Sequence, residues 1–250
     1  MHVTTLNTGD LFISLWRGTI GCDPSDDIST WDLSPFRDPI LWKAHGKAVQ
    51  IATPFIPSSF DRPPRNIAEK VNSGYRVIEW QGYLYGLGPA LLHGILPDRY
   101  WKNFCLLVSA VRIIIQCSIT REQIIQAQRS MEQFLVEFEE IYVQRRVDRL
   151  HFVQPVLHHL LHLGLEVPHM SPPGISAAWT MERTIGNLGE EIRLPSNPYK
   201  NLSERALRST QLNVMKAHFP ELVKDRNPEP QGSLAVGDDY LLLRKRDRYP

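Results

Sequence analysis

The sequence predicts a mainly α-helical protein, and three observations lead to this fold class. Apolar residues in the middle of the chain recur at steps of three and four, the spacing of helices buried on one face. A capping box begins the longest of these segments. Strong apolar–polar alternation, the mark of a half-buried strand, is limited to the short stretch "DYLLLRK" near the end of the chain.

Two helices are predicted in the first part of the chain. Leu11–Trp16 is typical of the end of an apolar helix, and Gly18 stops it. A second helix is predicted over Ile40–Ala52, with Leu41, Ala44, Ala48 and Ile51 on its buried side. The aromatic, glycine-spaced segment 68–97 is expected to hold one or two short helices.

The clearest helical pair lies in the middle. Asp98 is expected to cap a helix that runs to about Cys117. Thr120 and Gln123 form a Thr-x-x-Gln capping box at the start of the next helix. The apolar stripe of that helix consists of Ile124, Ala127, Met131, Phe134, Phe138 and Ile141. Because few residues join the two helices, we expect an antiparallel pair.

Three further helices follow. One is predicted to begin near Pro155 and to end by Gly164, before the linker "PHMSPPG". The next covers "WTMERTIGNLGEEIR", and the last has Ser203 as its candidate cap. The predicted organisation is a helical region over 1–174, terminal helices over 175–222 and a polar, flexible tail over 223–250.

Composition narrows the function classes. The net charge of +1 lacks the basic excess of a dedicated nucleic-acid binder, so we expect at most weak DNA binding. Three cysteines without a C-x-x-C pair argue against a secreted disulfide framework. No signal peptide and no membrane-spanning run is recognised. The expected location is intracellular, with the nucleus as a candidate compartment.

His158 and His162 are a candidate metal-binding pair. In "VLHHLLHLG" they are four residues apart, so a helix places them on one face. This spacing occurs in helical zinc sites, but zinc takes three or four ligands, and the pair supplies two. Packing histidines at a half-buried helix surface are the plainer interpretation.

Two groups of arginines are candidate contacts for nucleic-acid phosphates. Arg145, Arg146 and Arg149 form one group, and "RKRDR" at 244–248 forms the other. The alternative is a solvated helix end and a solvated tail, which the balanced charge of the chain favours.

In the predicted helix "WTMERTIGNLGEEIR", Glu182 lies on the same strip of the helix surface as two glycines. Gly186 and Gly189 share this strip, and each interior glycine costs roughly 1 kcal/mol relative to alanine. Such a bare face is suited to close approach by another backbone. From composition alone, Glu182 is a solvated surface charge.

Three segments carry a resemblance to a known family. They are "GILPDRYWKNFCLLVSAVRI", "LHFVQPVLHHLLHL" and "WTMERTIGNLGEEIRLPSNPYKNLSERALR", of which the third is the most specific. Together they resemble the C-terminal half of transposases of the CACTA (En/Spm-like) group and related transposon-derived chains. The resemblance covers roughly residues 1 to 220.

This resemblance implies a DDE-type enzyme with an RNase H-like core. In such enzymes two aspartates and a glutamate hold two Mg²⁺ or Mn²⁺ ions, which activate the attacking oxygen in DNA cleavage and strand transfer. The glutamate lies on a late helix, after a helical insertion, and matches Glu182 here. The family's H-x-x-x-H pair matches His158 and His162. The implied fold is therefore a helical insertion followed by the terminal helices of an incomplete RNase H-like core.

The sequence departs from the family pattern at its start. The family's second aspartate lies just before a Met-His segment like "MHVTTLN", which here begins the chain. Asp10, Asp23, Asp26 and Asp27 do not match the motif. The resemblance thus implies a truncated transposase remnant that holds no metal pair and is inactive as this chain.

Two other functions remain open. One is a helical DNA-binding or protein-interaction module, whose partner is DNA, another protein or a second copy of the chain. The other is an active metal-dependent nuclease that uses Glu182, His158 and His162.

Overall fold

The computed structural model describes residues 3–57, 62–173, 179–192, 196–219, 234–237 and 240–242. For residues 179–183 and 191 and for the two strands, it describes the backbone alone. The described part is mainly helical, as the sequence predicts. The chain divides into two compact units, Met1–Ala177 and Ala178–Pro250, whereas the sequence placed the boundary after residue 174.

The first unit contains eight α-helices among its described residues. They are α1 (Thr8–Arg17), α2 (Pro39–Ala52), α3 (Ile67–Lys70), α4 (Val77–Gln81), α5 (Gly88–Leu91), α6 (Asp98–Ile114), α7 (Arg121–Phe138) and α8 (Pro155–Met170). Short 3₁₀ segments lie at Ile28–Thr30, Pro35–Arg37, Thr53–Phe55 and Val147–Phe152. π-Helical segments lie at Val3–Asn7, Gly82–Leu87 and Glu139–Val143.

Helix α1 ends where the sequence predicts. Gly18 adopts the left-handed conformation at φ 62°, and its N–H bonds to the Leu15 carbonyl at 3.0 Å. A glycine allows this conformation without the Cβ clash that other residues meet. The helix buries an almost continuous apolar set, so α1 lies within the core and not on its surface.

The capping box at the start of α7 is confirmed. The Thr120 hydroxyl accepts from the Gln123 amide at 3.3 Å, and the Gln123 side chain accepts from the Thr120 amide at 2.9 Å. These two bonds satisfy donors that have no partner inside the helix. Four of the six predicted stripe residues are buried: Ala127, Met131, Phe134 and Phe138.

Helices α6 and α7 form the predicted antiparallel pair. The Asn103 side chain of α6 donates to the Phe134 carbonyl of α7 at 2.9 Å. The Tyr100 hydroxyl, one turn earlier in α6, lies 3.4 Å from the Ile141 carbonyl just after α7. The beginning of one helix thus lies beside the end of the other.

Aromatic rings form much of the core between α1, α6 and α7. The Phe12 ring lies 5.7 Å from Phe104 and 6.2 Å from Tyr142 between ring centroids. The Trp16 indole donates to the Tyr142 hydroxyl at 3.2 Å, so the buried polar atom of each ring has a partner. This packing fixes α1 against the helical pair.

The sequence misplaced the buried face of α2. Trp42, His45, Gly46 and Val49 are buried, whereas Ile51, predicted to be inside, is 58 % exposed. The predicted face and the observed face both carry apolar residues, but in the structure a tryptophan and a histidine occupy the inner side. Their ring packing against Phe36 decides which face is covered.

Three predicted helix ends are wrong. Pro97 is the N-cap of α6, and Asp98 is its first helical residue. Helix α8 continues past Gly164 to Met170, and Gly164 packs closely against Gln128 of α7, whose Oε1 would lie 2.5 Å from an added Cβ. Ser203 lies inside the last helix, whose N-cap is Asn197.

The second unit contains α9 (Trp179–Glu191), α10 (Pro198–His218) and an antiparallel hairpin of β1 (Leu234–Gly237) and β2 (Tyr240–Leu242). The hairpin falls in the segment for which a flexible tail is predicted. An added Cβ at Gly186 or Gly189 would meet no described atom within 4 Å, so the expected close approach does not occur among the described residues. None of the described helices has the length and hydropathy to cross a membrane.

Candidate functional site

The arginines 145, 146 and 149 lie where the chain turns between α7 and α8. Gln144 and Arg145 both have positive φ, at 57° and 56°, which ends the helical path after Val143. The 3₁₀ segment Val147–Phe152 then runs toward α8. Because of this sharp turn, the three arginines point to different surroundings and do not form one exposed patch.

Arg149 is a buried structural residue. It is 3 % exposed, and its Nε and Nη2 donate to the two oxygens of Asp26 at 2.6 and 2.8 Å. Its guanidinium also lies over the Trp31 ring, 5.3 Å from the centroid. A two-point bond between a guanidinium and a carboxylate is among the strongest polar contacts in proteins. In this structure Arg149 is therefore not accessible to a phosphate.

Arg146 is bound in the same network. It donates to both oxygens of Asp148 at 3.0 and 2.6 Å, and its Nη2 lies 3.2 Å from Asp26. The Ser25 hydroxyl completes the group with a bond to Asp148 at 2.8 Å. The network ties the loop at 23–27 to the segment that follows α7.

The network sets the protonation of its carboxyls. The hydrogen bonds from Arg149 hold the pKa of Asp26 below its usual range, against the opposing effect of burial. The hydrogen bonds from Arg146, and then from Ser25, lower the pKa of Asp148. Both groups are therefore ionised at neutral pH, and both are already matched by positive charge.

Arg145 is the accessible member of the predicted phosphate-binding group. Its side chain is exposed, and its guanidinium pairs with no carboxylate among the described residues. One exposed arginine gives a weak electrostatic attraction to DNA. The second predicted basic group, at 244–248, lies outside the described residues.

His158 and His162 face each other on the exposed side of α8. Their Nε2 atoms are 3.1 Å apart, and the rings meet edge to face with centroids at 4.6 Å. Two nitrogens bound to one tetrahedral zinc ion lie about 3.3 Å apart, as bond lengths of about 2.0–2.1 Å require. The pair could thus contact one ion with little movement.

The metals that suit this pair differ from those that the resemblance implies. Imidazole nitrogen suits Zn²⁺, Ni²⁺ and Cu²⁺, whereas Mg²⁺ takes oxygen ligands. Among the described residues, no group of three or more histidine, cysteine, aspartate or glutamate side chains is placed to share an ion. Asp26 and Asp148, two carboxylates that share Arg146, are held by arginines. The described residues therefore do not fit a two-metal magnesium site.

Glu182 lies on α9 in the second unit. Its side chain falls outside the described part, so its role stays a prediction. His158 and His162 belong to the first unit, and their use together with Glu182 also stays a prediction.

A second buried carboxylate was not predicted from the sequence. Glu79 is fully buried, and Arg65 binds it with Nε at 2.5 Å and Nη2 at 2.8 Å. Burial alone would raise the pKa of Glu79, but the bonds from Arg65 and from the Arg76 amide outweigh it, and the pKa lies below its usual range. Nothing in the spacing of these residues signals the pair, since α3 and its turns intervene.

Comparisons with known proteins give no relative: no family model, no curated protein and no solved structure matches the chain significantly.

Proposed function

We propose that this chain is a transposase-derived helical protein that does not cleave DNA by itself. The three segments that resemble CACTA-group transposases support the origin. Of the family's three metal-binding carboxylates, only Glu182 has a match in this sequence. The RNase H-like character of the second unit belongs to this proposal as well.

One observation carries the proposed lack of cleavage. Both carboxylates that are buried among the described residues of the first unit, Asp26 and Glu79, receive two-point bonds from arginines. A metal-binding carboxylate has to present free oxygens to a cation, and these oxygens already accept from guanidinium groups. This favours a scaffold role for the first unit, in which charged side chains hold the loops against the helices.

A plasmid-nicking assay tests this proposal. We expect the purified chain to leave supercoiled DNA intact in Mg²⁺ and in Mn²⁺. The Glu182→Gln variant, prepared in parallel, controls for contaminating nucleases. Metal-dependent nicking by the natural chain that disappears in Glu182→Gln would refute the proposal and establish a nuclease.

A helical DNA-binding or protein-interaction module is the second candidate function, and the exposure of apolar residues on α10 favours it. Leu207 is 59 % exposed, Leu212 is 54 % and Val214 is 52 %. Such exposure is typical of helices that contact a partner. For DNA as the partner, the test is a gel-shift titration at low salt with Arg145→Ala: no shift at any concentration removes DNA from consideration.

A further inference from the structure

A groove of about 600 Å³ lies in the first unit, away from the arginine network. The π-helical turn and the beginning of α1 form one wall, the turn between α3 and α4 forms the second, and the beginning of α8 forms the third. Binding sites for small ligands fall in this range of volume, about 300–1,000 Å³.

The floor of the groove is apolar and firmly packed. Tyr75, Trp80 and Val156 line it and are 5 %, 4 % and 4 % exposed. The Tyr75 and Trp80 rings meet edge to face at 5.1 Å, and the Tyr75 hydroxyl donates to the Arg65 carbonyl at 3.3 Å. Because these side chains are held by the core, the groove keeps its shape without a ligand.

The rim of the groove is polar, and its side chains are open to solvent and to a ligand. Five side chains there make no hydrogen bond to any other described residue: Asn7, Asp10, Asn72, Gln154 and His159. Asn7 precedes α1, yet its side chain makes no capping bond to the helix. Three of the five are primary amides, each with two donors and one acceptor. That combination matches the alternating C=O and N–H groups of an extended peptide backbone.

The charge of the groove selects among ligands. Asp10 is the one carboxylate in the lining, and no lysine or arginine lines the groove with it. A phosphate backbone would meet this carboxylate without a lysine or arginine to compensate it, which is unfavourable. An ammonium or guanidinium group would instead find an opposite charge beside an apolar wall.

We propose that this groove binds an extended peptide segment of a partner protein that carries a lysine or arginine side chain. Asp10 pairs with the basic group, and the amides of Asn7, Asn72 and Gln154 bind the peptide backbone. The aliphatic stem of the basic side chain covers the apolar floor, as such stems do on other surfaces. The inference rests on the groove alone and is independent of the transposase origin.

A peptide titration with the full chain tests the inference. The probe is a fluorescein-labelled pentapeptide of alanines with a central arginine, and the matched probe carries citrulline, the neutral isostere, at the same position. We expect saturable binding of the arginine peptide, with the citrulline peptide about fivefold weaker because it lacks the ion pair.

Two variants assign the effect to the groove. Asp10→Asn should remove the preference for arginine while thermal unfolding confirms that the variant folds. The matched control is Asp98→Asn, an exposed aspartate that pairs with Lys102 on α6 at 3.5 Å, and it should bind both peptides as the natural chain does. Three results would overturn the inference: no saturable binding, an arginine preference that survives in Asp10→Asn, or displacement of the peptide by a short oligothymidylate.

Discussion

His45 is buried on the inner side of α2, between the rings of Phe36, Trp42 and Tyr83. It is 2 % exposed, and its Nε2 lies 2.8 Å from the Tyr83 hydroxyl, while Nδ1 has no partner. Burial lowers the pKa of His45 to about 4, because a charged imidazole would lose its hydration there. The residue is therefore neutral in the folded protein at neutral pH.

This burial predicts a pH dependence of stability. The unfolded chain protonates His45 near pH 6.5 and the folded chain near pH 4, so the unfolded state binds more protons between these values. The free energy of unfolding should therefore fall as the pH drops from 6.5 toward 4, by up to about 3 kcal/mol. Urea unfolding at a series of pH values measures this slope.

A variant separates His45 from other groups. Asp26 and Glu79 also lose their stabilising ionisation in acid, but below about pH 4.5, near the usual carboxyl pKa. Between pH 6.5 and 5, His45→Gln should lack the slope of the natural chain. An unchanged slope in that variant would show that another group is responsible.

The pair His158 and His162 predicts metal-dependent stabilisation. An ion that binds the folded chain raises its free energy of unfolding, by about 2.7 kcal/mol when its concentration is a hundred times the Kd. We expect Zn²⁺ or Ni²⁺ to raise the melting temperature and Mg²⁺ to leave it unchanged, since imidazole nitrogen suits the former ions. Thermal unfolding with each ion measures the effect.

The neighbouring histidine supplies the control for this prediction. His162→Asn removes one of the two facing nitrogens and should abolish the shift. His159→Asn changes a histidine whose ring centroid lies 6.2 Å from that of His158, and it should retain the shift. Equal shifts in both variants would place the metal elsewhere.

Among the helices, the sequence predicts features that depend on residues within one turn, but not features that depend on contacts between separate helices. The capping box of α7 involves two residues in one turn, so the sequence alone located it. Gly164 inside α8 packs against Gln128 of another helix, and the inner face of α2 depends on Phe36. Such contacts join separate elements, and helical spacing within one element carries no information about them.

Close packing between α1 and α4 gives a prediction at this scale. A Cβ added at Gly9 would lie too close to three ring atoms of the buried Trp80, one of them at 2.7 Å. The indole is fixed by its neighbours, so Gly9→Ala should destabilise the protein by about 1–3 kcal/mol, as overpacking does. Chemical denaturation measures the loss.

Gly86 provides a matched control in the same unit. It is exposed, and an added Cβ there meets no described atom within 4 Å, so Gly86→Ala should change stability little. Equal stability of Gly9→Ala and Gly86→Ala would contradict the packing of α1 against α4.

Across the whole chain, the sequence predicted the mainly helical class but not the connections that close the first unit. Asp26 and Arg149 are 123 positions apart. From the sequence, Asp26 matches no motif, and Arg149 is a candidate phosphate contact or part of a solvated helix end. Spacing identifies which arginines are near each other along the chain, whereas folding decides which of them meet a carboxylate. The histidine pair was predictable because both residues belong to one helix.

The central claim is that the buried charges of the first unit hold its fold together. A double-mutant cycle with Asp26→Asn and Arg149→Met, followed by urea unfolding, tests it most directly. Asp26→Asn leaves the buried Arg149 without a carboxylate, and Arg149→Met leaves the buried Asp26 with Arg146 as its one cation, so each should cost about 3–5 kcal/mol. The double variant should lose less than the sum, with a coupling energy of about 2 kcal/mol or more. Additive losses, with coupling below about 0.5 kcal/mol, would contradict the claim.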